Sequence, residues 1–509
     1  NSFDVNLSNP EILEDEVRFV LPVPLTGLVT NTQVGIDMQN PLPEGVDVYL
    51  NQYQLVQVDP RNRRGSRRFT RFPGWDGLES QKWVHLFESD EVETSFSLES
   101  DSFNNLYSGG YWVLEIQDSN SQYDEDFLEQ LSRDIMDGWS WELELSTANP
   151  HGTSVAGVAL SSNTDKGIIG VNSEAEFASL KLIGDTSAIA NQTHGSIIGS
   201  ALFNPEGRNQ EIDIFNNSWG PDYLARLPLA LAALQNGVNQ GRHQFGNLYV
   251  FAAGNDGYDM HSGNVNYNPL ANSRHTIAVG AINQVGQKAS YSTPGSSVFI
   301  STYSSDDLGT DESEDFQGIA TTDLTGKHGY SRNNYNFGFG GTSAAASVIS
   351  GAVSWLLKVN PELTSRDIQH IQAETAVKND TDDDDWVQNG AGYWVNHKYG
   401  FGSLDLHAAV SLAKTWETRG TEADLMADSL VGQYHSTLLD LQIPDDDPEG
   451  VEDWIEVDED RTLEWVEVNV DIDHSYRGDL KLVLVSPDGT ESVLGRSQLS
   501  PYSSDRTAG

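Results

Sequence analysis

The stretch richest in chemistry is a serine among small residues, Phe339-Gly340-Gly341-Thr342-Ser343-Ala344-Ala345-Ala346. A serine hydroxyl is a poor nucleophile until a base takes its proton and donors stabilise the oxyanion that follows. Both helpers can be read elsewhere in the chain. His151-Gly152-Thr153-Ser154-Val155-Ala156-Gly157 sets an imidazole at the start of a small-residue helix pattern. Phe251-Ala252-Ala253-Gly254-Asn255 sets a side-chain amide at the end of an apolar strand. Ser343 opens a predicted helix running through Trp355-Leu356-Leu357, whose dipole favours negative charge developing there. Gly340 and Gly341 allow the backbone to approach a substrate closely. Taken singly, small residues before a helix are usually packing, and a lone histidine is usually a satisfied core residue. The three together, in the order His, Asn, Ser, point to acyl transfer.

That order fits the subtilisin arrangement and excludes the chymotrypsin one, in which Asp lies between His and Ser. Residues from about His151 to Trp416 resemble a subtilase catalytic domain, and within that family the kexin and proprotein-convertase branch. The resemblance rests on Asn217-Ser218-Trp219-Gly220-Pro221, on Asn236-Gly237-Val238-Asn239-Gln240-Gly241-Arg242 with Gly246-Asn247-Leu248, and on Ala320-Thr321-Thr322-Asp323-Leu324. Leu363-Thr364-Ser365-Arg366-Asp367-Ile368 and Tyr399-Gly400-Phe401-Gly402-Ser403-Leu404-Asp405 complete it. It covers roughly half the chain. It implies an α/β fold, a three-layer α/β/α sandwich with a mainly parallel sheet, and a serine endopeptidase working through an acyl-enzyme. Ser343 would attack, His151 would carry the proton and Asn255 would donate to the oxyanion. Calcium is implied at the family level, with Asn163 and Asp165 as candidate ligands in a loop that also reads as a solvated turn.

The acid that should orient His151 has two readings. Tyr107-Ser108-Gly109 and a strand ending in Asp118 resemble the convertase strand that delivers it, which makes Asp118 the candidate. Against this, Glu115 and Gln117 are polar where a central parallel strand would be buried on both faces, and Asn120 replaces the usual glycine. The alternation apolar-polar suits a half-exposed strand of an all-β domain. On that reading the acid lies outside the chain or the site has none.

Composition bounds the setting. The chain has 509 residues, enough for two or three domains with real cores. Its 29 Lys and Arg against 76 Asp and Glu give a net charge of −47. Such a field repels nucleic acid and anionic membranes. With no cysteine there are no disulfides, unlike animal convertases, which points to a bacterial relative. No long uninterrupted apolar run predicts a membrane span. Secretion or cell-surface display follows from the resemblance only, as does an inhibitory propeptide or chaperone as a partner beside the protein or peptide substrate.

Residues 1–146 read as β-rich, with Val29–Met38, Val46–Leu50, Gly109–Asp118 and Trp139–Leu145 as strands that resemble a convertase P domain, a β-jelly roll. Residues 147–417 form the catalytic domain and 418–442 a linker. Residues 443–509 resemble the first part of a P domain, with Leu463–Ile472 alternating as a half-buried strand. Arg61-Asn62-Arg63-Arg64-Gly65-Ser66-Arg67-Arg68 is either a processing site, which would make 1–68 a propeptide, or a surface loop. Asp382-Asp383-Asp384-Asp385 is a calcium ligand set or a solvated loop. In convertases a pocket Asp selects Arg; here Asn268 stands at that position, and Tyr223 follows Asp222 where the family has an acidic pair. A strict dibasic preference is therefore not expected. The rival to the enzyme reading is a catalytically silent scaffold acting as a structural or surface-binding protein.

Overall fold

In the computed structural model the described residues are the nine N-terminal strands named below, then 149–163, 167–180, 202, 210–220, 227–258, 263–306, 318–326, 329–427, 431–436, 441–444, 450–457, 462–474 and 477–495. Two compact units emerge: residues 1–152 with 183–190 and 323–334, and residues 153–182 with 191–322 and 335–509.

The first unit is antiparallel β throughout its described strands. These are β1 (Ser2–Asp4), β2 (Glu11–Ile12), β3 (Glu16–Val23), β4 (Leu28–Met38), β5 (Val46–Leu55), β6 (Leu78–Glu88), β7 (Ser95–Ser100), β8 (Gly110–Asp118) and β9 (Trp139–Ala148). One sheet has the order β1-β9-β4-β7 and the other β2-β3-β8-β5-β6. Strand β8 pairs antiparallel with β3 on one side and β5 on the other, with Asp118 opposite Val46. The alternation at Glu115 and Gln117 thus belongs to an antiparallel sheet, not to the parallel strand that the resemblance would give a catalytic acid.

The second unit opens with α1 (His151–Leu160), whose first two residues fall in the first unit. A short hairpin of β10 (Ser162–Asn163) and β11 (Ile168–Ile169) follows, then β12 (Ile214–Asn217), α2 (Pro228–Gln240), β13 (Leu248–Ala252), β14 (Thr276–Ile282) and β15 (Ile300–Tyr303). Strands β12-β13-β14-β15 pair in parallel in that order. Leu248 to Ala252 is buried at every position, the pattern of a strand covered on both faces. Its alternate side chains feed two cores. Tyr249 and Phe251 join Ala230, Ala233, Leu234 and Val238 of α2. Leu248, Val250 and Ala252 join Ala345, Ala346, Ile349 and Val353 on the other face. The expected three layers are present.

An antiparallel pair, β16 (Ile319–Thr322) and β17 (Tyr335–Phe339), leads into α3 (Gly341–Val359). Helix α3 is the one described helix long and apolar enough to cross a membrane, yet Ala345, Ala346, Ile349, Val353 and Leu356 place it in the core. Next come α4 (Ser365–Thr375), the hairpin of β18 (Val387–Gln388) and β19 (Trp394–Val395), α5 (Leu406–Ala413) and α6 (Glu422–Ala427). Thr364 caps α4 with a reciprocal capping box to Asp367. Asp367 also accepts from the Trp416 indole, the Thr418 hydroxyl and the Arg419 backbone. The stretch 418–442 therefore begins not as a free linker but docked on α4.

The C-terminal segment supplies one described hairpin, β20 (Leu482–Val485) with β21 (Glu491–Gly495). It is fastened through His397: Nδ1 meets Asp385 at 3.0 Å and Nε2 accepts from the Val493 amide at 3.0 Å. Asp383 binds Asn396 and Lys398. The aspartate run at 382–385 is thus neither a solvated loop throughout nor a gathered ligand set. The strand expected over Leu463–Ile472 does not form among the described residues. Leu463, 64 % exposed, and Val466, Val468 and Val470 find no ladder partner. Side chains fix this stretch instead: Glu464 pairs with Arg366 and His370, and Arg274 stacks over Trp465 at 4.1 Å.

Candidate active site

Ser343 sits in the first turn of α3 and is 8 % exposed. Two glycines set that turn. Gly341 has φ +76°, a conformation that strains any residue with a Cβ. A Cβ on Gly340 would fall 1.8 Å from the Ser305 hydroxyl. The Gly341 amide donates to the Tyr291 hydroxyl at 3.1 Å, its carbonyl accepts from Ser304 at 2.8 Å, and Tyr291 donates to the Ser305 carbonyl at 2.7 Å. The start of α3 is therefore held from outside the helix. Its dipole favours an anion at Ser343.

A neutral network runs beneath the serine. Ser350 donates to Asn216 Oδ1 (2.8 Å), Asn216 Nδ2 to the Ser218 hydroxyl (3.0 Å), and Ser218 to the Ser343 carbonyl (2.9 Å). The Ser347 hydroxyl reaches the same carbonyl at 2.8 Å. In return Ser343 Oγ donates to the Ser218 carbonyl at 3.3 Å, a long bond that a base can compete with.

Asn255 follows β13 and is oriented by Thr342. The Thr342 amide and hydroxyl both donate to Asn255 Oδ1 at 2.9 Å, while the hydroxyl accepts from the Gly254 amide at 3.1 Å. Because the Thr342 backbone N–H can only donate, the Asn255 atom it faces is fixed as oxygen. The amide nitrogen is left as the donor for chemistry.

His151 opens α1, and its backbone amide donates to Asn149 Oδ1 at 3.0 Å. Burial pushes its imidazole below the ordinary value of 6.5, so the neutral base form prevails at neutral pH. The body of α1 is locked to β16: Ser154 donates to the Thr322 carbonyl, Thr321 to that of Ser154, and Thr322 to that of Thr153. Gly157 makes this fit, since a Cβ there would meet both threonine hydroxyls within 2.4 Å. The Ala320-Thr321-Thr322 motif thus supports the histidine helix.

Ser343 and Asn255 are brought together through Thr342. His151 and Asp118 belong to the other unit, and Asp118 ends the antiparallel β8. Asp165, the basic island at 61–68 and Tyr223 lie outside the described residues, as does the Asn163 side chain. Among the described residues no group of three His, Asp or Glu gathers to hold a metal ion, so calcium has no described site. Asn268 is buried, and its Oδ1 accepts from the amides of Leu270 (3.0 Å) and Ala271 (3.2 Å). Its Nδ2 faces Gly220, where a Cβ would come within 2.8 Å. Sequence reading missed the work of Thr342, Ser218 and Tyr291. Thr342 lies inside the serine motif, but its partner is settled only when β13 and α3 meet.

Residues 117–402 match the subtilase family, and residues 463–508 match the proprotein convertase P-domain. Furin-1 of Xenopus laevis is 32 % identical over 366 residues, 70 % of this chain and 43 % of furin. Kexin of Saccharomyces cerevisiae is 30 % identical over 442 residues, 82 % of this chain and 50 % of kexin. The chain thus spans about half the length of these relatives. The serine protease of Aeromonas sobria, solved in complex with a chaperone, is similar in fold at TM-score 0.52 and 21 % identity, covering 69 % of this chain and 66 % of that one.

Proposed function

Because this chain belongs to the subtilase family, we propose that it is a serine endopeptidase hydrolysing peptide bonds through an acyl-enzyme on Ser343. The observation that carries this reading is the pairing of Ser343, at a helix N-terminus, with an Asn255 amide whose oxygen is engaged by Thr342. Ser343 Oγ bonds to the scissile carbonyl carbon as its proton passes to His151. The oxyanion is held by Asn255 Nδ2 and the backbone amide of Ser343 itself, the Gly341 and Thr342 amides being already engaged. Collapse expels the amine, which takes the proton from His151. Water then attacks the acyl ester in the same way and frees Ser343.

Asp118 is the candidate acid for orienting His151. The family match opens at residue 117, which supports that role, while the antiparallel pairing of β8 speaks against it. Asp118→Asn is expected to lower kcat by about 10⁴ if it is the acid, and an unchanged kcat removes it from the site.

At the pocket position, Asn268 offers no carboxylate and spends its oxygen on backbone amides. The first substrate residue bound there is accordingly not selected as arginine. Calcium belongs to the proposal only as a stabilising ion at Asn163 and Asp165, read out by thermal unfolding with calcium against chelator. Secretion or surface display and a bacterial source are part of the same reading. So is maturation with a propeptide or chaperone, the arrangement suggested by the Aeromonas sobria complex. The test is turnover of unfolded casein by the full chain, expected in the native protein and lost in Ser343→Ala. A folded protein silent toward casein and peptides would favour the scaffold reading.

A further inference from the structure

Lys288 follows β14, and no motif of the sequence gave it a role. Its ammonium donates to four backbone carbonyls: Ser290 (2.9 Å), Ala289 (3.0 Å), Ser292 (3.2 Å) and Gly257 (3.4 Å). An ammonium has three hydrogens, so one contact is shared. The chain carries 76 acidic residues against 29 Lys and Arg, yet no described carboxylate forms an ion pair with Lys288. A ring of converging carbonyls is how proteins replace the hydration shell of a bare cation such as potassium. Here the cation is covalently attached.

What the ring connects gives it a role. Three further bonds join the turn carrying Asn255 to the segment after Lys288. Thr293 N–H donates to the Gly254 carbonyl (3.1 Å), Asp256 N–H to the Thr293 hydroxyl (3.0 Å), and Gly257 N–H to the Tyr291 carbonyl (2.7 Å). The approach is so close that a Cβ on Gly257 would lie 2.0 Å from the Ser292 oxygen. Carbonyls packed this tightly repel one another unless a positive charge lies between them. The same segment contributes Tyr291, whose hydroxyl holds the Gly341 amide at the start of α3. Residues 288–293 therefore touch both halves of the site, the Asn255 turn and the Ser343 helix.

We propose that Lys288 is a positioning residue whose ammonium stands in for a carbonyl-bound monovalent cation and fixes the Asn255 turn relative to Ser343. This inference rests on the endopeptidase reading. It makes the chain's own lysine, rather than a metal, the ion that aligns the oxyanion donor. Described charged and titratable groups also adjoin Lys288. Its own amide donates to Tyr399 OH (3.0 Å), which in turn donates to Asp380, and Lys398 lies close enough to repel it while bound to Asp383. Burial, with Lys398 adding to it, brings Lys288 down to about 8.

The experiment replaces Lys288 by Ala in the full chain, leaving space for a potassium ion. Turnover and thermal unfolding are then compared in potassium, sodium and choline chloride at equal ionic strength. Without potassium, kcat is expected to fall about tenfold to a hundredfold with KM little changed, the effect of a misplaced catalytic donor. Potassium should restore kcat and raise Tm in Lys288→Ala while leaving the native protein indifferent. Wild-type kcat in choline overturns the proposal, and so does a loss that potassium cannot repair. Lys288→Met serves if the alanine variant does not fold. It fills the space without charge and should lose kcat irrespective of the salt; full activity there also overturns the proposal. If the native protein cleaves nothing, only the endopeptidase reading falls, and a potassium-dependent Tm of Lys288→Ala still decides the cage.

Discussion

Two regions of the second unit are held together by opposite means. Around Ser343 every described bond is neutral at its immediate partners: hydroxyls, amides and carbonyls of Ser218, Asn216, Ser350, Thr342, Asn255 and Tyr291. Where residues 464–467 dock, charge does the holding. Arg366 and His370 meet Glu464, and Arg274 meets Glu422, Glu467 and the Trp465 ring. Neutral bonds to backbone fix atoms regardless of salt or pH, which suits a nucleophile and donor needing ångström precision. The pairs whose carboxylates reach solvent, at Glu464 and Glu467, are weaker and screened by salt. Lys288 is the exception, a charge placed inside the neutral region but bound to carbonyls.

Four variants would break or sharpen that contrast. The largest effect is expected of Ser343→Ala, which should lower kcat by about 10⁶ and leave Tm unchanged, read by peptide turnover and calorimetry. Asn255→Ala should cost about 10² to 10³ in kcat with little change in KM; an equal rise in KM would make Asn255 a ground-state contact. Thr342→Val keeps the shape but removes the hydroxyl that donates to the Asn255 oxygen. A fall in kcat of about tenfold to a hundredfold is expected, with Thr342→Ser restoring most of it.

The smallest effect lies at the dock. Burial alone would raise the Glu464 carboxyl, but hydrogen bonds from His370 and Arg366 prevail and hold it at about 2. A carboxylate depressed from 4.5 contributes stability that is complete above pH 4.5 and lost as pH falls toward 2. Allowing for its partial exposure, the contribution is about 1 kcal/mol. Glu464→Gln should thus reduce stability at pH 7 by that amount, flatten the acid limb of unfolding below pH 4.5, and leave kcat unaltered. A change in kcat would show that the dock and the site are coupled.

The sequence made the chemistry at Ser343, His151 and Asn255 legible because each sits in a local pattern of small residues that few other needs explain. The strands β4, β5, β8 and β9 were legible from alternation, and the two-faced burial of β13 from its apolar run. Lys288 was not, since its partners are backbone carbonyls, which carry no side-chain signature, and one of them comes from a distant turn. The Leu463–Ile472 stretch misled for the converse reason. Its alternation is that of a strand, but a strand also needs a neighbour, and its polar side chains found Arg366 and Arg274 instead.

The most direct test of the central claim is labelling of the folded chain with a fluorophosphonate, mapped by peptide mass spectrometry. A single adduct on Ser343, absent in His151→Ala, is the predicted result. A folded native protein that takes no label, or takes it on another serine, would contradict an assembled nucleophile at Ser343.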